Sequence, residues 1–270
     1  MSAAHARGAP DSFADLAERL LPTVVNISTA QKRDAPAARP ELPEGGPFEE
    51  YFREFFDREG GARQVSSLGS GFIIDPSGLV VTNNHVVAEA DEVTVILSDD
   101  TELDAEIVGV DEKTDLALLQ VESATPLPAT RWGDSDETRV GDWILAIGNP
   151  FGLGGSVTAG IVSARARDIN QGPYDDYLQT DASINRGNSG GPMFNLKGEV
   201  IGINTAIFSP TGGSVGIGFA IPAALAEPVI NQIIKYGRTR RGWIGVRIQK
   251  VTDEIAESLG LEKTKGALVA

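Results

Sequence analysis

Between residues 68 and 222 the apolar positions fall in short runs separated by Gly, Pro, Asn and Asp, the signature of strands rather than helices. One series runs 24–28, 71–74, 79–82, 93–97, 105–110 and 116–121. A second runs 143–147, 156–164, 177–180, 192–194, 200–206 and 217–221. Pro76-Ser77-Gly78, Lys197-Gly198 and Gly212-Gly213 are among the turn signals between them. Two consecutive series of about six strands predict an all-β protein of two packed six-stranded β-barrels, with the break near 123–131. The 31 glycines fit this reading, because barrels need many tight turns and bulges.

Helical spacing occurs in three places. Asp11 or Ser12 can cap a short N-terminal helix with Phe13, Leu16 and Leu20 on its apolar face, ended by Pro22. A C-terminal helix over 225–236 puts Val229, Ile230, Ile233 and Ile234 on one face. Pro228 fits the first turn of a helix that begins there and kinks one that begins earlier. Phe48, Tyr51, Phe52, Phe55 and Phe56 repeat at i, i+3, i+4, i+7 and i+8 inside a Pro-, Gly- and charge-rich insertion. This stripe hangs outside both strand series, so it is expected to dock onto another subunit. The resulting organisation is a tail, helix and first strand over 1–30, the insertion with its aromatic helix over 31–67, and the rest of the first barrel over 68–125. The second barrel and C-terminal helix occupy 126–237, and 238–270 form a basic joint and the start of a further domain.

Composition narrows the function classes. The net charge of −15 repels nucleic acid and anionic membranes, so neither is expected as a partner. No apolar run is long enough to span a bilayer, and no signal peptide is visible at the N-terminus. Cysteine is absent, which excludes a thiol nucleophile and thiolate metal ligands. No metal or other cofactor is expected.

The chemistry concentrates in Gly187-Asn188-Ser189-Gly190-Gly191. A serine boxed by glycines presents a hydroxyl on a tight turn among bare backbone N–H groups, which acyl transfer requires. The chain has two histidines, and His5 lies in the unpatterned tail, so His85 is the candidate general base. Asp115, between a turn and the apolar run 116–119, is the carboxylate that would orient it. Asp111 is a rival whose turn with Lys113 reads as solvated. Ser70 and Ser163, also near glycines, read as structural.

Thr82-Asn83-Asn84-His85-Val86-Val87, Lys113-Thr114-Asp115-Leu116-Ala117-Leu118 and Gly187-Asn188-Ser189-Gly190-Gly191-Pro192 resemble the three triad motifs of the HtrA (Deg) family of chymotrypsin-like serine proteases. Gly148-Asn149-Pro150-Phe151-Gly152 and Gly216-Ile217-Gly218-Phe219-Ala220-Ile221-Pro222 are similar to further family segments. The resemblance covers most of 68–270 and is strongest to the bacterial periplasmic branch. It implies barrels of the chymotrypsin/trypsin type, with His85 as base, Asp115 as its partner and Ser189 as nucleophile. It also implies an oxyanion hole from the N–H groups of Gly187 and Ser189, with Asn188 between them. Ile184 and the segment Asn204, Thr205, Ala206, Ile207 and Phe208 are expected to line the pocket for the residue before the scissile bond. Their lack of charge disfavours Lys or Arg there and favours Val or Ile.

By the same resemblance, Arg165 and Arg167 belong to a loop that signals activation to the Gly148–Gly155 segment and the oxyanion turn. Arg241, Gly242, Trp243, Ile244 and Gly245 resemble the carboxylate-binding loop that opens a PDZ domain. The implied function is an ATP-independent, periplasmic endopeptidase that acts on unfolded polypeptides and assembles as a trimer or a multiple of one. A chaperone or holdase with secondary proteolysis, and a PDZ-type peptide-binding module, stand as alternatives.

Overall fold

A computed structural model describes residues 10–32, 63–149, 155–169, 172–210, 213–242, 245–261, 264 and 266–269. The aromatic stripe Phe48, Tyr51, Phe52, Phe55 and Phe56 lies outside the described residues. The chain divides into two units, Met1–Thr239 and Arg240–Ala270.

In the first unit, helix α1 (Ala14–Leu20) and a 3-10 turn (Leu21–Thr23) lead into twelve strands among the described residues. The first six are β1 (Val24–Lys32), β2 (Arg63–Asp75), β3 (Leu79–Thr82), β4 (Glu92–Ile96), β5 (Glu102–Asp111) and β6 (Leu116–Val121). They close into an antiparallel barrel in the order β1-β2-β3-β6-β5-β4. The next six are β7 (Trp143–Gly148), β8 (Ser156–Arg167), β9 (Tyr177–Thr180), β10 (Pro192–Asn195), β11 (Val200–Ile207) and β12 (Gly218–Pro222). They close in the matching order β7-β8-β9-β12-β11-β10. The two barrels therefore share one topology, as two similar strand series lead one to expect.

Three apolar cores explain why many strands read as continuous rather than alternating. In β6, Ala117, Leu119 and Val121 fill the first barrel with Ile27, Ile73 and Val80. Leu116 and Leu118, on the other face, join Phe72 and Val81 in a shared core. That core also takes Leu145, Ile147, Phe194, Phe219 and Ile221 from the second barrel, while Ile144, Ala146, Leu178 and Met193 fill its own interior. Strands buried on both faces lose their polar alternation. Phe72 and Phe194 are fully buried in this seam, each side chain worth about 1.5–3 kcal/mol of burial.

The strand ends differ from the apolar pattern. β1 and β2 stay paired out to Lys32 opposite Arg63, well into the stretch that reads as insertion, because a ladder of backbone hydrogen bonds does not need apolar side chains. Helix α2 (Asn84–Val87), too short to show a periodicity, follows β3 directly. Helix α3 (Ala223–Tyr236) begins two residues before the expected start at 225, which leaves Pro228 beyond its first turn. It ends at Gly237, whose φ of 67° lets its N–H donate to Ile233 O at 2.8 Å. Phe13, not Asp11 or Ser12, occupies the N-cap position of α1, and Ser12 Oγ accepts from Ala14 N at 3.1 Å.

In the second unit, β13 (Ile248–Lys250) pairs antiparallel with β14 (Ala267–Val269). Helix α4 (Asp253–Ser258) lies between them in sequence, capped by the Thr252 hydroxyl.

Candidate active site

The end of β3 delivers the chain into α2, whose Val86 and Val87 are buried at 3% and 1% exposure. That anchorage turns His85 outward, with its side chain 48% exposed. Asp115 stands between a tight turn and β6. The turn is held by Thr114 Oγ1, which donates to Asp111 Oδ2. Asp111 is buried, at 5% exposure, and also accepts from Thr239 Oγ1 at 3.1 Å. It is therefore an internal brace, not the solvated group its neighbour Lys113 suggests.

Asp115 adopts a left-handed backbone, φ 55°, which costs on the order of 1 kcal/mol for a residue with a Cβ. The surroundings determine it fully. Its carbonyl accepts from Asn84 N at 3.1 Å and Asn83 Nδ2 at 2.8 Å. Its Oδ1 accepts from His85 N at 2.8 Å, and His85 Nδ1 lies 2.6 Å from Oδ2. A carboxylate has no proton to offer, so Nδ1–H donates and Nε2 is left as the basic nitrogen.

Ser189 lies in the turn between β9 and β10. Gly187 and Gly190 have φ of 95° and 84°. A Cβ at Gly190 would stand 2.2 Å from Thr82 Oγ1 and 2.3 Å from Ser70 O, and one at Gly191 would stand 2.6 Å from Ile147 O. The glycines thus let the turn press against both barrels, which gives their spacing a steric reason beyond conformational freedom. Asn204 clamps the turn from β11: its O accepts from Gly190 N, and its N donates to Gly191 O, both at 2.8 Å.

The structure brings His85 and Asp115 into direct contact. Ser189 Oγ instead donates to Thr205 O at 3.3 Å; among the described residues it makes no hydrogen bond to His85. Asn188 N donates to Asn185 O at 3.0 Å, so it is not a free donor. The N–H groups of Gly187 and Ser189 have no acceptor among the described residues.

Of the expected pocket residues, Ile184 is 2% exposed and packs where Gly218 lacks a side chain. Thr205, Ala206 and Ile207 are half-buried, and Phe208 is 60% exposed. Asn204 is wholly enclosed, with its amide donating to Pro192 O at 3.1 Å; it braces the turn. Arg165 and Arg167 fall within β8 itself. Arg165 bonds Asp136 O at 2.9 Å, and Arg167 bonds Gln179 Oε1 at 2.9 Å. Among the described residues, neither bonds to the Ser189 turn. Arg241, Gly242 and Gly245 are exposed; Trp243 and Ile244 lie outside the described residues.

Sequence reasoning missed Asn83, which is fully buried and bridges Asp115 O to Thr205 Oγ1 (3.1 Å). It also missed Asn185, whose Oδ1 accepts from Ser214 N at 2.9 Å. Asn83 lies inside the His85 motif, so a question about what holds Asp115 could have found it. Asn185 carries no such signal. A cavity of about 380 Å³ beside the site is lined by His85, Asp115, Tyr174, Tyr177, Thr205 and Leu225, among others. Burial, helped by the charges of Asp175 and Asp115, pushes the Tyr177 phenol up to about 12.

Two barrels of one topology, with a histidine–carboxylate pair on the first and a glycine-boxed serine on the second, define a chymotrypsin-like serine peptidase. Residues 69–203 match the trypsin-like peptidase domain family. The chain is 50% identical over 300 residues to a probable periplasmic serine endoprotease, DegP-like, of Brucella suis biovar 1 (strain 1330), covering 99% of this chain and 58% of the relative. The corresponding protein of Rhizobium meliloti (strain 1021) is 56% identical over 244 residues, covering 85% of this chain and 48% of the relative. The chain thus spans about half the length of these relatives. Among solved structures, the HtrA-type protease AlgW with tripeptide has a TM-score of 0.79 at 45% identity, covering 96% of this chain and 75% of that one. The chain belongs to the HtrA (Deg) family of chymotrypsin-like serine endopeptidases.

Proposed function

We propose that this chain hydrolyses internal peptide bonds of unfolded polypeptides through Ser189, His85 and Asp115. The observation that carries the reading is the double hold of Asp115 on His85, at Nδ1 (2.6 Å) and at its backbone N–H (2.8 Å). It presents Nε2 in the form that can take a proton. When substrate enters, the Ser189 hydroxyl exchanges its weak bond to Thr205 O for His85 Nε2. Oγ attacks the scissile carbonyl carbon as its proton passes to Nε2. The N–H groups of Gly187 and Ser189 receive the oxyanion. The tetrahedral adduct collapses, and His85 returns the proton to the departing amine. Water then cleaves the acyl-enzyme by the same route, with no nucleotide consumed.

The apolar, uncharged Ile184, Ala206 and Ile207 support a preference for Val or Ile before the scissile bond. The DegP-like relatives named periplasmic support the same compartment, and the resemblance to the HtrA family supports a role in protein quality control. Family likeness supports a homo-oligomer, a trimer or a multiple of one. Ser189→Ala is expected to abolish casein and peptide cleavage and fluorophosphonate labelling, with thermal stability nearly unchanged, because the hydroxyl makes one 3.3 Å bond. Persistent labelling of the variant would place the nucleophile elsewhere.

A further inference from the structure

Ser70 lies in β2 of the first barrel, is fully buried, and spends every polar group it has near the Ser189 turn. Its hydroxyl donates to Gly187 O at 2.6 Å and accepts from Asn149 N at 2.8 Å. Its backbone N donates to Ser189 O at 2.9 Å, and its carbonyl accepts from Thr82 Oγ1 at 2.8 Å. One residue therefore holds the carbonyls on both sides of Asn188. A side chain at Gly148 or Gly191 would crowd it, with a Cβ 3.0 Å from Ser70 Oγ or 3.1 Å from Ser70 Cβ.

We propose that the Ser70 hydroxyl is a positioning residue for the oxyanion hole. It fixes the plane of the Gly187–Asn188 peptide, which lies between the Arg186–Gly187 and Asn188–Ser189 peptides that carry the two donor N–H groups, so that both stay directed at the reacting oxygen. In a trans peptide the N–H and C=O point opposite ways, so holding one end aims the other. The Gly187–Asn188 peptide is held at both ends, by Ser70 Oγ–H on its oxygen and Asn185 O on its N–H (3.0 Å). The Asn188–Ser189 peptide is held by Gly191 N, which donates to Asn188 O at 3.0 Å and so directs Ser189 N–H away from it. Gly187 is the flexible point. It has no Cβ and a positive φ, so without the Ser70 bond the Gly187–Asn188 plane can turn about Gly187 Cα and change its angle to the Arg186–Gly187 peptide, whose N–H is the first donor. Because the same hydroxyl accepts from Asn149 N, the segment after β7 and the oxyanion turn are tied through a single oxygen.

This inference rests on Ser189 as nucleophile, and the test separates the two. Ser70→Ala is expected to lower kcat for a peptide substrate about 10- to 100-fold, somewhat less than loss of an oxyanion donor itself, with KM within about twofold. Affinity for a peptide boronic acid, whose tetrahedral adduct uses the hole, falls in step with kcat/KM. Binding of an uncleaved peptide to Ser70→Ala in the Ser189→Ala background matches Ser189→Ala alone. Ser70→Cys, similar in size with a weaker donor, falls between and stands in if the alanine variant does not fold. Equal losses in boronate and ground-state binding would reduce Ser70 to a packing role and overturn the proposal. So would kcat and boronate affinity both within about twofold of wild type. If fluorophosphonate fails to label Ser189 in the wild type, the nucleophile assignment fails first and this inference falls with it.

Discussion

Asp115→Asn tests the core of the proposed chemistry with the least disturbance to the fold. Asparagine is nearly isosteric and tolerates the left-handed backbone at φ 55°, so Asp115 O can keep its bonds from Asn83 and Asn84. What changes is the pattern of donors. His85 N–H points at Oδ1 from 2.8 Å, so the amide oxygen must take that position. The NH2 group then faces His85 Nδ1, which in the wild type lies 2.6 Å from Oδ2. Nδ1 must become the acceptor, and the ring proton moves to Nε2, where it blocks proton abstraction from Ser189. The reverse amide orientation sets NH2 against His85 N–H and costs about 1–3 kcal/mol for an unsatisfied pair, so it stays a minor form. Holding the wrong tautomer costs about 10⁴ in turnover where it has been measured in the trypsin-type triad, about 5 kcal/mol in the barrier. The assay is kcat on a chromogenic peptide at neutral pH, with the melting temperature and fluorophosphonate labelling rate in parallel. The labelling rate is expected to fall with kcat while the melting temperature shifts little. A folded variant that keeps kcat within tenfold of wild type would refute the claim that Asp115 sets the tautomer of His85.

Gly190→Ala is expected to unseat the turn. The left-handed backbone alone costs about 1–2 kcal/mol, and the methyl must also displace Thr82 Oγ1 (2.2 Å) and the Ser70 carbonyl (2.3 Å); activity lost together with several degrees of melting temperature supports this, and an unchanged melting curve contradicts it. Tyr177 supplies an alkaline limit. Its phenol ionises at about 12 in the fold against about 10 in an unfolded chain, so stability is full below pH 10 and declines as pH rises from 10 towards 12. Denaturant midpoints across that window should fall in the wild type and fall less in Tyr177→Phe; identical slopes would show that another group sets the limit.

Much of the fold was legible because strands buried on both faces leave unbroken apolar runs, and because the glycine-boxed serine, His85 and Asp115 each carry a local signature. The runs at 79–82, 116–121 and 177–180 coincide with β3, β6 and β9. Strand ends such as Lys32 and Arg63 were not legible, since a backbone ladder there requires no apolar side chain. Nor was α2, whose single turn is shorter than any periodicity. The sequence by itself determined the class of chemistry, the order of the three triad candidates along the chain and the two-barrel plan, because residue type and local spacing carry all of these. Only the tertiary structure decided which groups hold the site: Asn83 beneath Asp115, Asn204 beneath the turn, and Ser70 on the Gly187 carbonyl, 117 positions away in sequence. These contacts depend on how closely one barrel presses on the other. A buried polar group finds its partner in space, so its sequence neighbourhood cannot announce it.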